Sequence, residues 1–181
     1  MGWRDRTAAA ENPKTTVEVL RRLARDDDWR VRVSAARNTN APADVLARLA
    51  TDENSSVRFK AARNPSTPAD VLVALATDED SAVRLAVAGN PSTPGEMLAR
   101  LAENEDWVVR WTVARNTNAP AKVLCGLAMD GDWDVYMAVA RNPKIPPEAI
   151  TLLCFKEDTR IRRSLSENPA VPEHIRVGLS L

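Results

Sequence analysis

Residues Val83 to Thr93 read V-R-L-A-V-A-G-N-P-S-T, and the asparagine in that stretch, Asn90, returns at a fixed interval in both directions. Asn12, Asn38, Asn64, Asn90, Asn116, Asn142 and Asn168 are each 26 residues apart, with no insertion in any copy. An unbroken period of this length is the signature of a solenoid, in which each unit is one supersecondary element stacked on its neighbours. Seven asparagines therefore predict seven units in an all-α array.

Aligning the copies on their asparagines predicts two helices per unit. A proline stands four residues after the Asn in six copies (Pro42, Pro68, Pro94, Pro120, Pro146 and Pro172), with Thr16 in the remaining one. Proline suits the first helical position, where its missing N–H has no intrahelical partner. Thr67 and Thr93 are then expected as N-caps of that first helix. Apolar residues follow at offsets of three and four, as in Val45, Leu46, Leu49 and Ala50, which makes one helical face. An acidic turn closes the helix, as in Asp26-Asp27-Asp28 and Asp78-Glu79-Asp80. The last member of each turn is expected to cap a second helix that carries the column Val31, Val57, Val83, Val109, Val135 and Ile161. Small residues such as Ala35-Ala36 and Ala61-Ala62 on the second helix let the next layer approach closely.

Composition narrows the function classes. Lys+Arg and Asp+Glu both number 25, so bulk electrostatic attraction to nucleic acid or to an anionic membrane is not expected. No long apolar span or secretory segment is present, and two cysteines are too few for a disulfide framework, so a reducing cytoplasm is the expected compartment. Few aromatic residues and many Ala, Leu and Val suit thin layers of short helices and do not favour large pockets. Arg6 occupies the position where a myristoylation signal needs Ser or Thr, and Asn54-Ser55-Ser56 reads as a loop, not a glycosylation site. Trp3, Asp5 and Arg6 fall on second-helix columns, whereas Arg176 and Ser180 replace a leucine and an alanine of the first helix. Polar replacements at both ends are expected of terminal repeats, so residues 1–181 read as one capped repeat domain, with Leu179 and Leu181 leaving the last cap imperfect.

The run A-R-N-P-S-T-P-A-D-V-L-V-A-L-A-T-D from Ala62 to Asp78, followed by V-R, resembles the variant leucine-rich repeat family, and the likeness recurs in every copy. That resemblance implies a right-handed superhelix of alternating α- and 3₁₀-helices without strands. The run Asp28 to Ala36 is also similar to the second helix of HEAT repeats. Some members of the variant family carry a cysteine-rich module that binds an iron–sulfur cluster; no such module is found in this sequence. Cys125 and Cys154 are read as packed or half-exposed thiols, and no cofactor is implied.

Two features compete for the functional reading. The arginine column Arg6, Arg32, Arg58, Arg84, Arg110 and Arg162, interrupted by Tyr136, could offer a basic stripe. Its regularity favours instead a structural ladder with N-cap carboxylates such as Asp28, Asp80, Asp106 and Asp158 of its own or the adjacent unit. The Asn column is likewise expected to bond backbone groups of the bend between units, since Asn before Pro is held extended.

Function is expected where the copies differ. Variable positions of the second helix fall on one face, where Phe59, Leu85, Val108, Trp111 and Met137 form an apolar strip flanked by Arg37, Arg63, Arg115 and Arg141. Aromatic and Met residues with an arginine rim have the make-up of a protein-binding hot spot. The competing reading buries that column as core. The Trp column, Trp3, Trp29, Trp107 and Trp133, alternates with Ser and Thr and so is expected to reach the surface in part. A non-enzymatic scaffold for a protein or peptide is the leading expectation. Nucleic-acid binding through Arg30, Arg37, Arg63, Arg115 and Arg141 is the alternative, and weak self-association through the C-terminal end a third. No nucleophile motif, phosphate loop or metal-ligand spacing is found, and the single histidine, His174, reads as a solvated terminal residue.

Overall fold

A computed structural model describes residues 2–179, so Ser180 and Leu181, invoked above for the terminal cap, lie outside the described residues. Fourteen helices and no strand are found among the described residues, which amounts to seven two-helix repeats of an all-α solenoid. The helices fall into two compact units, Met1–Pro94 and Gly95–Leu181.

Unit 1 holds α1 (Trp3–Glu11), α2 (Val17–Leu23), α3 (Trp29–Arg37), α4 (Ala43–Leu49), α5 (Ser55–Arg63), α6 (Ala69–Leu75) and α7 (Ser81–Gly89). The longer helices pack in series, α1 on α3, α3 on α5 and α5 on α7, while each short helix packs on the long helices beside it. Unit 2 holds α8 (Gly95–Leu101), α9 (Trp107–Arg115), α10 (Ala121–Leu127), α11 (Trp133–Ala140), α12 (Pro147–Cys154), α13 (Thr159–Glu167) and α14 (Glu173–Leu179). Here α9 packs on α11 and α11 on α13.

The columns read from the sequence form the cores. Leu20, Leu46 and Leu72 in unit 1, and Leu98 and Leu124 in unit 2, are fully buried, as are Val31, Val57, Val83, Val109, Val135 and Ile161. Paired alanines such as Ala35-Ala36 and Ala61-Ala62 are at zero exposure, which lets the long helices meet closely. Both helices of a repeat are α; i→i+3 bonds are confined to their ends, as where Val31 N–H donates to the Asp28 carbonyl. The alternation with 3₁₀-helix implied by the family resemblance is therefore reduced to those tightened end turns.

Capping follows the expected residues at one helix and departs from them at the other. Asp28, Asn54, Asp80, Asp106, Asp132 and Asp158 each accept a bond from the backbone N–H two residues on and cap the second helices as expected. The prolines, however, sit one step earlier than expected. Pro42, Pro68, Pro120 and Pro146 are themselves the N-caps, in extended conformation with ψ of 150 to 163°, and only α12 has a proline, Pro147, inside its first turn. Thr67 and Thr93 accordingly do not cap; buried in the bend, their hydroxyls donate to the carbonyls of Ala61 and Val87 at 2.6 Å. An extended residue at the cap leaves proline no steric conflict with the turn before it.

The asparagine column holds layer to layer, as expected. Asn64 Nδ2 donates to the carbonyls of Ala36 and Asn38 in the preceding repeat at 2.8 and 2.9 Å. Its Oδ1 accepts the Ser66 N–H at 2.9 Å. Asn38 and Asn90 repeat this arrangement in unit 1, and Asn142 and Asn168 do so in unit 2. These asparagines are 2 to 5 % exposed and extended (Asn64 has ψ 126°), so one amide satisfies a carbonyl that the end of a helix leaves open and adds a second donor to the carbonyl of the preceding asparagine, which already accepts an N–H of the bend, as Asn38 does from Ala41.

Candidate functional site

The arginine column is a ladder, but its partner is not the N-cap. Arg6, Arg32, Arg58 and Arg110 form two-pronged pairs with Asp26, Asp52, Asp78 and Asp130, the first acid of the next repeat's turn, at 2.6 to 3.0 Å. The carboxylates Asp28, Asp80, Asp106 and Asp158 are engaged instead with the N–H groups of their own helices. The third guanidinium nitrogen reaches back: Arg58 Nη1 donates to the carbonyls of Asp52 and Glu53, and Nη1 of Arg32, Arg84 and Arg110 does the same in their own turns. Arg32, Arg58, Arg84 and Arg110 thus close the turns of their own repeats, and Arg6, Arg32, Arg58 and Arg110 bind the carboxylate of the next.

The Arg6 bond, the Asp28 N–H and nearby arginine charge hold the Asp26 carboxyl below its ordinary range against the effect of burial. For Asp78, burial is the largest single influence and acts upward, yet the Arg58 bond and the Asp80 N–H outweigh it. Asp130 follows the same balance with Arg110.

Tyr136 breaks the ladder, and its partner changes with it. Twenty residues on, where the other pairs have Asp, the sequence has Lys156, whose ammonium lies 4.0 Å from the centre of the Tyr136 ring. Without a carboxylate at 156 to accept the N–H two residues on, the turn adopts another backbone: Glu157 has φ 48°.

These columns belong to the scaffold, and the variable face is what remains. Phe59 and Leu85 lie in unit 1 and Val108, Trp111 and Met137 in unit 2, so the expected strip is divided between the two units. Phe59, Leu85, Val108 and Trp111 are half-buried, while Met137 is only 2 % exposed. For Met137 the expectation of an exposed apolar strip gives way to the core reading, because α13 covers it and the Ser164 hydroxyl donates to its sulfur at 3.3 Å. Arg37, Arg63, Arg115 and Arg141 are exposed, as expected of a rim.

In unit 2 the structure brings Trp111, Arg115, Met137 and Arg141 together around a depression of about 390 Å³, joined by Trp133, Asp134 and Ala138. Helices α9 and α11 supply the walls and Asn142-Pro143 the end. The Arg115 guanidinium lies 4.5 Å from the centre of the Trp111 ring. Arg141 Nε donates to the Ser164 hydroxyl at 3.4 Å, tying it to the Met137 wall. Trp133 donates its indole N–H to Asp158 at 3.1 Å and lies under Arg160 at 4.3 Å, so its ring is fixed from two sides. Val108 and Leu85 do not line this depression.

Trp133 and Asp134 were not among the expected site residues; their signal is the departure of the fifth copy from the others around Asp132 to Tyr136. A second missed feature is the exposure of Met129 and Phe155 at 64 and 80 %, which follow polar residues in the same column of earlier copies. Trp3, Trp29 and Trp107 are exposed, in line with a column that alternates with Ser and Thr. Cys125 and Cys154 are free, half-buried thiols raised above their usual pKa by burial. Among the described residues no group of three or more His, Cys, Asp or Glu is placed to hold a metal, and no helix is long and apolar enough to cross a membrane.

Residues 57–115 match the model of the leucine-rich repeat variant domain, and residues 29–54 match that of the leucine-rich repeat variant itself. A solved structure described as a leucine-rich repeat variant with a novel repetitive structural motif is 26 % identical, with a TM-score of 0.64 over 93 % of this chain and 72 % of that one. Two engineered proteins of known structure are also similar, at 22 and 21 % identity with TM-scores of 0.45 and 0.43; they cover 97 and 98 % of this chain and 89 and 66 % of their own. No curated protein matches the chain. With the asparagine and arginine columns stacking two-helix repeats in each unit, and with these matches, the chain is a helical repeat protein whose residues 29–54 and 57–115 match the leucine-rich repeat variant.

Proposed function

We propose that this protein is a non-enzymatic scaffold of the cytoplasm, with residues 1–181 acting as one repeat domain, and that it binds a protein or peptide segment through the depression of unit 2. The observation that carries this reading is the gathering of Trp111, Trp133, Met137, Arg115 and Arg141 around one cavity on the face where the copies diverge. About 390 Å³ is room for one or two side chains, and Trp and Arg are the residues whose truncation most often weakens an interface. Fixation supports it further: Trp133 and Arg141 are held by Asp158 and Ser164, so little side-chain freedom is lost on binding. Arg6, Arg32, Arg58 and Arg110 of the arginine column are occupied within the scaffold by their aspartates, which leaves the variable face to meet a ligand.

Panning a random peptide library against the full chain tests the reading. Wild-type protein is expected to enrich a motif with an apolar or aromatic anchor, and Trp111→Ala to weaken it by about 2 kcal/mol or more while keeping the helical spectrum. Equal enrichment by wild type and Trp111→Ala would remove the proposal.

A further inference from the structure

A second depression, of about 260 Å³, lies in unit 1 and is independent of the peptide reading above. Arg37 at the end of α3 and Lys60 and Arg63 on α5 line it, with Asn64 and Pro65. The Asn64 amide is already bound to the carbonyls of Ala36 and Asn38, so the groups left to meet a ligand are three cations. Glu11 lies 3.7 Å from Arg37 and also accepts from Ser34. Both members of that pair are more than half exposed, which makes it weak. Among the described residues no carboxylate lies within ion-pair distance of Lys60 or Arg63.

Phe59 organises the cluster: the Lys60 ammonium lies 4.9 Å and the Arg63 guanidinium 5.8 Å from the centre of its ring. Burial, and then the charges of Arg37 and Arg63, push the Lys60 amine below its usual pKa. Three like charges gathered in a half-buried pocket repel one another until an anion enters.

The charge is also bounded. In the columns of Lys60 and Arg63, the preceding copy has Ser34 and Arg37, the one before that Ala8 and Glu11, and the following copy Ala86 and Gly89. Two repeats of cations suit one compact anion, whereas a nucleic-acid backbone is held by a continuing series of phosphate contacts. Two guanidinium forks and an ammonium match the several oxygens and double charge of a phosphate monoester better than a lone carboxylate.

We infer that the pocket formed by Arg37, Lys60 and Arg63 is a binding site for a phosphate monoester carried on a peptide side chain. Titration of the full chain by NMR tests this with N-acetyl-phosphoserine amide, its unphosphorylated counterpart, inorganic phosphate and a short DNA duplex as probes. The phosphoserine probe and inorganic phosphate are expected to shift the amides of Arg37, Lys60, Arg63 and Asn64 saturably, and the serine probe to shift none. Lys60→Gln and Arg63→Gln should each weaken the phosphoserine response about tenfold with the rest of the amide spectrum unchanged. Arg141→Gln, in the other depression, should leave it as it is. Absence of a saturable shift, or an undiminished response in Lys60→Gln, would overturn the inference. So would Lys60-dependent binding of the duplex tighter than that of the phosphoserine probe, which would make the site a nucleic-acid contact.

Discussion

The depressions of unit 1 and unit 2 occupy the same place in the repeat yet differ in chemistry. Each is flanked by the arginines of two successive copies, Arg37 and Arg63 in one and Arg115 and Arg141 in the other, and each ends on an Asn-Pro pair, Asn64-Pro65 and Asn142-Pro143. The difference lies one turn earlier on the long helix: Phe59 and Lys60 in unit 1 correspond to Met137 and Ala138 in unit 2. Lysine makes the first pocket cationic; alanine, beside two tryptophans, makes the second aromatic and apolar. The units differ in their ladders too, since unit 1 contains three arginine–aspartate pairs and unit 2 replaces one by Tyr136 and Lys156. Columns that recur hold the layers, and the residues between them can change without disturbing the stack.

The comparison can be broken most severely at the ladder of unit 1. Arg58 and Asp78 have side chains only 10 and 8 % exposed, so Asp78→Ala leaves the buried guanidinium with the Asp52 and Glu53 carbonyls and one bond to the exposed Glu79, its Nε without an acceptor. Chemical denaturation of this variant is expected to show a loss of about 3 kcal/mol. A loss under about 0.5 kcal/mol would mean that the pair is ornamental to the stack.

Acid probes the same contacts without mutation. The folded-state pKa values of Asp26, Asp78 and Asp130 are lowered, so their contribution is fully present above the ordinary carboxylate pKa of about 4 and is lost as pH falls through the lower folded values. Melting curves should therefore be flat with respect to these groups near neutrality and shift downward below about pH 4, less steeply in Asp78→Asn than in wild type.

A smaller effect is expected at the exchanged rung of unit 2. Tyr136→Arg alone sets two cations together and Lys156→Asp alone removes the cation–π contact, whereas the double variant recreates the pairing of Arg110 with Asp130. Denaturation of the four proteins should yield a favourable coupling of about 1–2 kcal/mol. Additive effects would show that the two substitutions in this copy are unrelated.

The smallest effect comes from moving one pocket's chemistry to the other. Ala138→Lys, the counterpart of Lys60, should give unit 2 a weak phosphoserine response, a few-fold below that of unit 1 because Met137 lacks the ring that supports Lys60.

Much of this was legible in the sequence because repetition amplifies it. A single Asn-Pro or Asp is ambiguous, but seven copies in register exposed the helix pair, the caps of the second helices and the asparagine column. What was hidden required the offset between layers. Within one copy the nearest acid to Arg32 along the chain is Asp28, yet stacking places Asp52 opposite its guanidinium, and Asp28 is occupied by its own helix N-terminus. Proline preferences could not distinguish the N-cap from the first helical residue, because both leave the missing N–H without consequence. Lys60 was visible as the one charged side chain in the column Ser34, Lys60, Ala86, Thr112, Ala138, but its value as a site depends on arginines from two layers meeting it. Met137 was legible only as apolar, since its burial depends on how α13 covers α11.

The division between recurring and variable columns is tested most directly by the melting temperatures of Asn64→Ala and Lys60→Gln, four residues apart at the end of α5. Asn64→Ala strips the Ala36 carbonyl and the Ser66 N–H of their partner and leaves the Asn38 carbonyl with the Ala41 N–H alone, and a loss of about 2–4 kcal/mol should lower the midpoint by roughly 5–10 °C. Lys60→Gln removes a charge that two arginines repel, so its midpoint should equal or slightly exceed that of wild type. A drop in Lys60→Gln as large as that in Asn64→Ala, or an unchanged midpoint in Asn64→Ala, would contradict the account.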